Sequence, residues 1–446
     1  MGKGERVEIK TRAEFDYNIN NYCCIFLAKF TNVHSKLMYD NPISASKCFN
    51  LKNAQLNNGR VVRADEFVIA MTNVDFFTYE KFYTWDEPIE ISTFYRYKAD
   101  YLPKEFVDSV LTFYEDKTKL KGVAGKESEY LHGKENVNSC YGMTCTDILR
   151  DLIVMDGDLH VVDRKGVEIA STNGLSQSEI DKLLLDNPFS KLSLWSISKV
   201  NREQEIDKYN TNPQRFLFYP WGLFVTAYAR RNLFSGILAC GDDYVYADTD
   251  SIKILNYEKH EQYFREYNEN VSKRLEMACK YHGFDVSRIR PKTVKGIEKP
   301  LGVWDDETKD IVNHGAGKKG IKNGVYSTFK TVGAKRYMYL AGDELHVTIA
   351  GSNKENTAKY LVDTYGKYYA FYKFDDNLVI PPPYSGRKVS CYIDHETSGE
   401  IVDYLGVKGS FHELTSVHME QGDYTLSLAD AYVKFFLGYQ LEKGVT

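Results

Sequence analysis

The stretch Tyr244-Val-Tyr-Ala-Asp-Thr-Asp-Ser-Ile-Lys-Ile-Leu255 decides how the rest of the chain is read. Tyr244, Val245 and Tyr246 on one side, and Ile252, Ile254 and Leu255 on the other, are strand formers, while the residues between them are acidic and turn-forming. The pattern predicts a β-hairpin with Asp248 and Asp250 at its apex. Two residues apart, the carboxylates leave the same face if strand geometry persists between them, which makes a seat for a divalent cation. A hard ion such as Mg²⁺, or Mn²⁺ in its place, takes one or two carboxylates together with water and phosphate oxygens. The hairpin therefore suggests chemistry on a nucleotide or another phosphorylated substrate. Asp-Thr-Asp-Ser is also good turn chemistry, each Asp accepting backbone N–H groups, and an isolated Asp-x-Asp is more often a turn than a site.

Length and composition bound the rest. With 446 residues and 43% hydrophobic content, the chain can bury substantial cores, and size scaling favours two or three domains. A net charge of −5 excludes a surface that is basic all over, so any nucleic-acid contact must use a local groove. The 34 tyrosines and 24 phenylalanines suit both cores and base contacts, and composition does not separate the two. The eight cysteines include no Cys-x-x-Cys pair and no Cys/His cluster with zinc spacing, which fits reduced, mostly buried thiols of a cytoplasmic protein. The first residues lack the apolar core of a signal peptide, Gly2 is not followed by a myristoylation signal, and no run of about 18 apolar residues occurs, so no membrane partner is expected.

Along the chain, residues 1–105 carry strand-like runs such as Tyr22–Phe30 and Glu66–Met71, which predict a mixed or antiparallel sheet. Glu14 and Phe15 read as part of a strand. In 106–148 the spacing of Phe106, Val110, Phe113 and Tyr114 predicts a helix, broken at Gly122 and Gly125 and followed by a second helix, the two forming an antiparallel hairpin. Lys134, Asn138 and Tyr141 stand at i, i+4 and i+7 on that second helix. An ammonium, an amide and an aromatic ring on one face suit a nucleoside triphosphate, and an exposed Lys and Asn beside a core-facing Tyr fits the same spacing.

Residues 149–215 read as an insertion, with a hairpin over Val154–Val162, a helix capped at Ser176, and a loop over Asn201–Asn212. In 216–300, Trp221–Cys240 is an amphipathic helix with Leu223, Ala227, Leu233 and Ile237 on one side and Arg230 and Arg231 on the other; it delivers the chain into the acidic hairpin. A further helix is expected from roughly Glu261 to Tyr281. In 301–446, Lys318, Lys319, Lys322, Lys330, Lys335 and Arg336 accumulate before the strand Lys335–Leu340, as holding a phosphate backbone near an ion would require, although most charge runs are solvated faces. Pro381-Pro-Pro383 predicts a bend, and Ser427–Tyr439 a closing amphipathic helix.

Three motifs therefore stand in order: Lys134-x-x-x-Asn-Ser-x-Tyr-Gly142, Tyr246-Ala-Asp-Thr-Asp-Ser251 and Lys335-Arg-Tyr337. Tyr114-x-x-Lys-Thr118 and Trp221-Gly-Leu-Phe-Val-Thr-Ala-Tyr-Ala-Arg230 flank them. In this the chain resembles the family-B DNA polymerases, and among them the protein-primed enzymes of phages and linear plasmids. The resemblance implies an α+β right-hand fold of palm, fingers and thumb. It implies that Asp250 and Asp248 are the catalytic, metal-binding carboxylates, and that Tyr246, Thr249 and Ser251 shape the turn and touch the primer end. Lys134 would bind the triphosphate, Asn138 and Tyr141 its base and sugar, Lys117 a further phosphate, and Lys335 and Tyr337 the primer–template backbone. Residues 106–148 would be the fingers, 149–215 an insertion within the palm, 216–300 the palm with its metal hairpin, and 301–446 the thumb.

The departures are as specific as the matches. The Asp-x-x-Ser-Leu-Tyr-Pro motif that supplies the family's other catalytic carboxylate is absent; Phe15-Asp-Tyr-Asn18 echoes only its start, and no exonuclease Asp-x-Glu region is found. The expectation is the product of a truncated or split gene, acting on primer–template DNA and dNTP, with an N-terminal polymerase half supplying the missing Asp and a terminal protein as a candidate primer. A DNA-binding remnant without activity is the second expectation. A metal-dependent Asp-x-Asp glycosyltransferase is the third, but it leaves Lys134, Asn138, Tyr141 and the basic stretch before Tyr337 unexplained.

Overall fold

The computed structural model describes residues 4–36, 40–57, 59–149, 151–154, 158–163, 166–187, 190–198, 201–213, 218–306, 326–402 and 408–426. Lys318, Lys319, Lys322 and the helix expected over Ser427–Tyr439 lie outside them. The chain mixes helix and sheet and divides into two units: Met1–Val107 with Thr118–Ser128 and Ala227–Thr446, and Asp108–Lys117 with Glu129–Thr226.

The first unit opens on β1 (Glu5–Arg6) and α1 (Arg12–Asn21). The strand expected around Glu14 and Phe15 is instead this helix, because Thr11 and Glu14 form a capping box: the Thr11 hydroxyl accepts the Glu14 N–H and the Glu14 carboxylate accepts the Thr11 N–H. Two long strands follow, β2 (Cys23–Ser35) and β5 (Arg60–Thr72), paired antiparallel, with β1, β3 (Cys48–Lys52), β4 (Gln55–Asn57), β6 (Tyr83–Thr84) and β7 (Glu90–Tyr97) completing a seven-stranded sheet. Every pairing in it is antiparallel. Alternate residues of β2, Cys24, Phe26, Ala28 and Phe30, are buried, as the period of two requires when one face is covered. α2 (Asn73–Phe82), which the sequence reading did not foresee, covers that face with Phe76, Tyr79 and Phe82. Phe15 meets Phe26 and Phe76 edge to face at 5.3 and 5.2 Å.

The two helices α3 (Lys104–Leu120) and α4 (Glu127–Gly142) form as expected, separated by a turn with Gly122 and Gly125 at φ 76° and 74°. In the second unit β8 (Leu152–Val154) and β9 (His160–Val162) do not pair with each other as the sequence suggested. β9 is the centre of a three-stranded sheet between β10 (Glu168–Ser171) and β11 (Lys191–Ser193), while β8 pairs with β12 (Ser196–Ser198). α5 (Gln177–Asp186) has the expected Ser176/Glu179 capping box. Asn201–Asn212, expected to be a loop, is α6 (Arg202–Thr211): it lacks an apolar stripe, but the Asn201 side chain caps it by accepting the N–H groups of Glu203 and Gln204.

α7 (Tyr219–Cys240) crosses from one unit to the other. Within the first unit, its Phe234 and Ile237 join the aromatic core of the large sheet, with Tyr244, Ala247 and Ile252 of the next element packed against the same core. That element is the acidic hairpin, β13 (Tyr244–Asp248) and β14 (Ser251–Ile254), followed by α8 (Tyr257–His282). Gly236 gives the hairpin room, since a Cβ there would stand 2.6 Å from Ile252 Cδ1. Further on, β15 (Tyr326–Thr331), β16 (Arg336–Ala341) and β17 (Glu344–Ile349) make an antiparallel sheet. Helix Lys354–Tyr365 lays Leu361 against Met338, Leu340 and Val347 of this sheet in a second core. Pro381 turns the chain from β18 (Val379–Ile380) into a short helix and then a long ribbon of β19 (Arg387–Val402) and β20 (Lys408–Gly422); β21 (Tyr424–Thr425) returns to pair with β18.

Candidate nucleotide and metal site

The hairpin is fixed at its base and open at its tip. Asp243, just before β13, accepts hydrogen bonds from Asn256 Nδ2 at 2.7 Å and pairs with His260 Nε2 at 2.9 Å, and its carbonyl accepts the Leu255 N–H at 2.8 Å. The His260 and Asn256 contacts hold the Asp243 carboxyl below its usual range. The Tyr244 hydroxyl donates to Asp40, a contact absent from the sequence reading because 204 residues separate the two.

At the tip, strand geometry ends at Asp248. Thr249 adopts φ 56°, and the Asp250 N–H donates back to the Asp248 carbonyl at 2.6 Å. The two carboxylates therefore flank a tight turn and do not alternate along a strand, which corrects the simple argument from period two. Thr249 Oγ1 donates to Asp248 Oδ1 at 2.9 Å, and Ser251 Oγ to the Asp248 carbonyl at 3.3 Å. Asp248 is partly buried, and Asp250 is exposed.

Lys335, 87 residues away, closes over this turn. Its Nζ lies 2.7 Å from Oδ1 and 3.0 Å from Oδ2 of Asp248, and its backbone N–H donates to the buried Tyr246 hydroxyl at 2.8 Å. The hydrogen bond to Asp248 raises the Lys335 pKa, with the Asp250 charge adding to it, so the ammonium is fully charged at neutral pH. Burial pushes Tyr246 up to about 12, which keeps its hydroxyl neutral and able to accept. The Tyr246 ring lies 5.2 Å from that of Tyr337 and 5.9 Å from Phe329, and Phe329 stacks on Tyr337 at 5.6 Å. Tyr246, Asp248, Lys335 and Tyr337 are thus brought together, and Asp250, Thr249 and Ser251 complete the turn beside them.

The donor set is all oxygen, which suits a hard cation such as Mg²⁺ or Mn²⁺. Among the described residues no cluster of three His, Cys, Asp or Glu side chains is arranged to hold a metal. Asp40 accepts the Tyr244 hydroxyl at the start of β13, and its charge also acts on Tyr246 two residues further along the strand. The residues fit one ion that completes its shell with water or substrate oxygens; they do not by themselves make a two-ion centre.

The second unit carries the other expected residues. Lys134, Asn138 and Tyr141 are all exposed on α4, so the Tyr141 ring does not face a core. Next to Lys134, Gly133 is buried where α3 and α4 meet: a Cβ there would lie 3.4 Å from the Lys117 backbone nitrogen. Lys117 Nζ sits 5.4 Å over the Tyr114 ring.

One residue of the polar face assigned to α7 proved to be structural. Arg230 makes a two-pronged pair with the buried Asp75 of α2, Nε to Oδ1 at 2.8 Å and Nη2 to Oδ2 at 3.0 Å. No signal in the sequence links residues 155 apart.

The arrangement is that of a mixed helix-and-sheet protein with a carboxylate hairpin answered by a lysine–tyrosine turn. No protein-family model matches the chain, and no curated protein matches it. Among solved structures it is similar to phi29 DNA polymerase in its orthorhombic crystal form, with a TM-score of 0.42 and 13% identity over 95% of this chain and 53% of that one. It is also similar to phi29 DNA polymerase complexed with primer-template DNA (TM-score 0.41, 14% identity, 95% and 54% covered) and with primer-template DNA and incoming nucleotide substrates (0.42, 14%, 96% and 54%). The chain spans about half the length of these polymerases. Among the described residues no helix is long and apolar enough to cross a membrane.

Proposed function

We propose that the chain is the nucleotidyl-transfer part of a DNA-directed DNA polymerase of the protein-primed family-B type. The observation that carries this reading is the docking of Lys335 and Tyr337 on the hairpin of Tyr246, Asp248 and Asp250, which joins a phosphate-binding cation to a carboxylate turn. In this reading Asp250 and Asp248 hold Mg²⁺ or Mn²⁺, which when bound would stabilise charge on the transferring phosphoryl group. Lys134 and Lys117 neutralise the triphosphate, Asn138 and Tyr141 orient the base and sugar, and Lys335 and Tyr337 steady the primer backbone. Thr249 and Ser251 hold the turn in which the carboxylates stand.

A further carboxylate is required for two-ion chemistry, and an N-terminal polymerase segment outside this sequence is its source in this reading. The second reading, a DNA-binding remnant without activity, is favoured by the neutralisation of Asp248 by Lys335. Primer extension with Mg²⁺ and four deoxynucleotides separates them. Extension that requires the N-terminal segment and disappears in Asp250→Asn supports the polymerase. DNA binding without extension under both conditions supports the remnant.

A further inference from the structure

Asp248 is the less exposed of the two tip carboxylates, and both its oxygens face the Lys335 ammonium. Oδ1 also accepts the Thr249 hydroxyl. A Mg²⁺ ion would sit about 2.1 Å from a carboxylate oxygen, and an ammonium 2.7 Å from that same oxygen would then face a dication at close range. The ion and the ammonium are alternatives.

The main chain and the side chain of Lys335 are held independently. The backbone N–H is bound to Tyr246 Oη at 2.8 Å, and the carbonyl accepts the Ala350 N–H at 3.0 Å. The side chain is 52% exposed and carries its charge on a flexible four-carbon stem. It can leave Asp248 without undocking the turn, and a phosphate is the anion that would receive it.

We infer that Lys335 sets the divalent-cation occupancy of Asp248, acting as a resident counter-ion that must move aside before a metal ion is bound. This rests on the reading of the hairpin as a cation seat given above. It adds that the seat is closed by the chain's own cation until an anionic ligand draws Lys335 away. Lys335 is on this account a positioning residue, distinct from the carboxylates that touch the ion.

The test is Mn²⁺ binding to the full chain without nucleotide or DNA, read by electron paramagnetic resonance of free Mn²⁺ and by calorimetry. The proteins are wild type, Lys335→Gln, Lys335→Arg and Asp250→Asn, with circular dichroism to verify folding. Removing a unit charge beside a dication is expected to tighten Mn²⁺ binding on the order of tenfold in Lys335→Gln. Lys335→Arg, which keeps the charge, stays near wild type, and Asp250→Asn weakens binding. Equal or weaker binding in Lys335→Gln, with Asp250→Asn still impaired, overturns the inference and leaves the cation seat standing. Tighter binding in both Lys335 variants also overturns it, because side-chain shape and not charge would then be the cause. Absence of saturable Mn²⁺ binding in every protein, Lys335→Gln included, removes the seat and the inference together.

Discussion

Replacing Arg230 with Met tests whether the helix that leads into the hairpin is fastened by charge to α2, the helix that covers the large sheet. Asp75 is almost fully buried, with its side chain 4% exposed, while Arg230 is 36% exposed. Removing one partner of a fully buried pair costs about 3–5 kcal/mol, because a charge is left uncompensated. Here Asp75 Oδ2 keeps two hydrogen bonds from Thr72, from the N–H at 3.2 Å and the hydroxyl at 2.9 Å, and water can reach from the exposed side of the arginine. The expected loss in Arg230→Met is therefore lower, about 2–3 kcal/mol. Adding Asp75→Asn removes the stranded charge, so the double variant should recover about half of that loss. Urea unfolding gives the stability. Native-state hydrogen exchange in the first turn of α2 gives the local effect without assuming a single transition. An Arg230→Met variant within about 0.5 kcal/mol of wild type, the range of ordinary surface substitutions, would refute the argument. So would a double variant as unstable as the sum of the singles.

Two further outcomes are expected. Lys134→Ala should leave the helix content unchanged, since the residue is exposed, but raise the apparent dissociation constant for a deoxynucleoside triphosphate about tenfold in equilibrium binding; an unchanged constant removes Lys134 from the proposed site. The second concerns Asp243, whose folded pKa is depressed by His260 and Asn256, so its stabilising contribution is complete above the unfolded value of about 3.9 and is lost as pH falls through the folded value. The difference in unfolding midpoint between wild type and Asp243→Asn should therefore close in acid, and a difference that persists at the lowest pH contradicts the assignment.

The hairpin, the two helices around Gly122, and α7 were legible because each announces itself within a dozen or so residues, through strand formers about a turn or through an apolar stripe. Local signals misled where pairing is not local. The hairpin expected over Val154–Val162 would join β8 to β9, yet each strand pairs with a partner further along the chain. At Thr11 a local capping box outweighs the strand-like look of Glu14 and Phe15, and α6, with only Ile206 and Tyr209 apolar, carries no extended periodic stripe to reveal it. The candidate residues are named from sequence, and the resemblance sets Lys335 and the hairpin on one primer–template, but neither hydropathy nor spacing specifies that the Lys335 ammonium pairs with Asp248 itself, or Arg230 with Asp75. Those contacts depend on how sheets and helices pack, which only the folded chain determines.

Thr249 and Lys335, which face each other through Asp248, both hold left-handed backbone conformations, at φ 56° and 55°. Residues with a Cβ are disfavoured there by roughly 1–2 kcal/mol each, and a β-branched threonine is a marked outlier. Glycine would relieve both positions, yet both keep side chains that bind Asp248. The contact is therefore a loaded one: two strained turns are held against each other by the cores behind them, the large sheet on one side and the β15–β17 sheet on the other. Cut out as a twelve-residue peptide, the stretch Tyr244–Leu255 would relax out of this conformation, so the arrangement belongs to the assembled fold and not to the motif that reveals it.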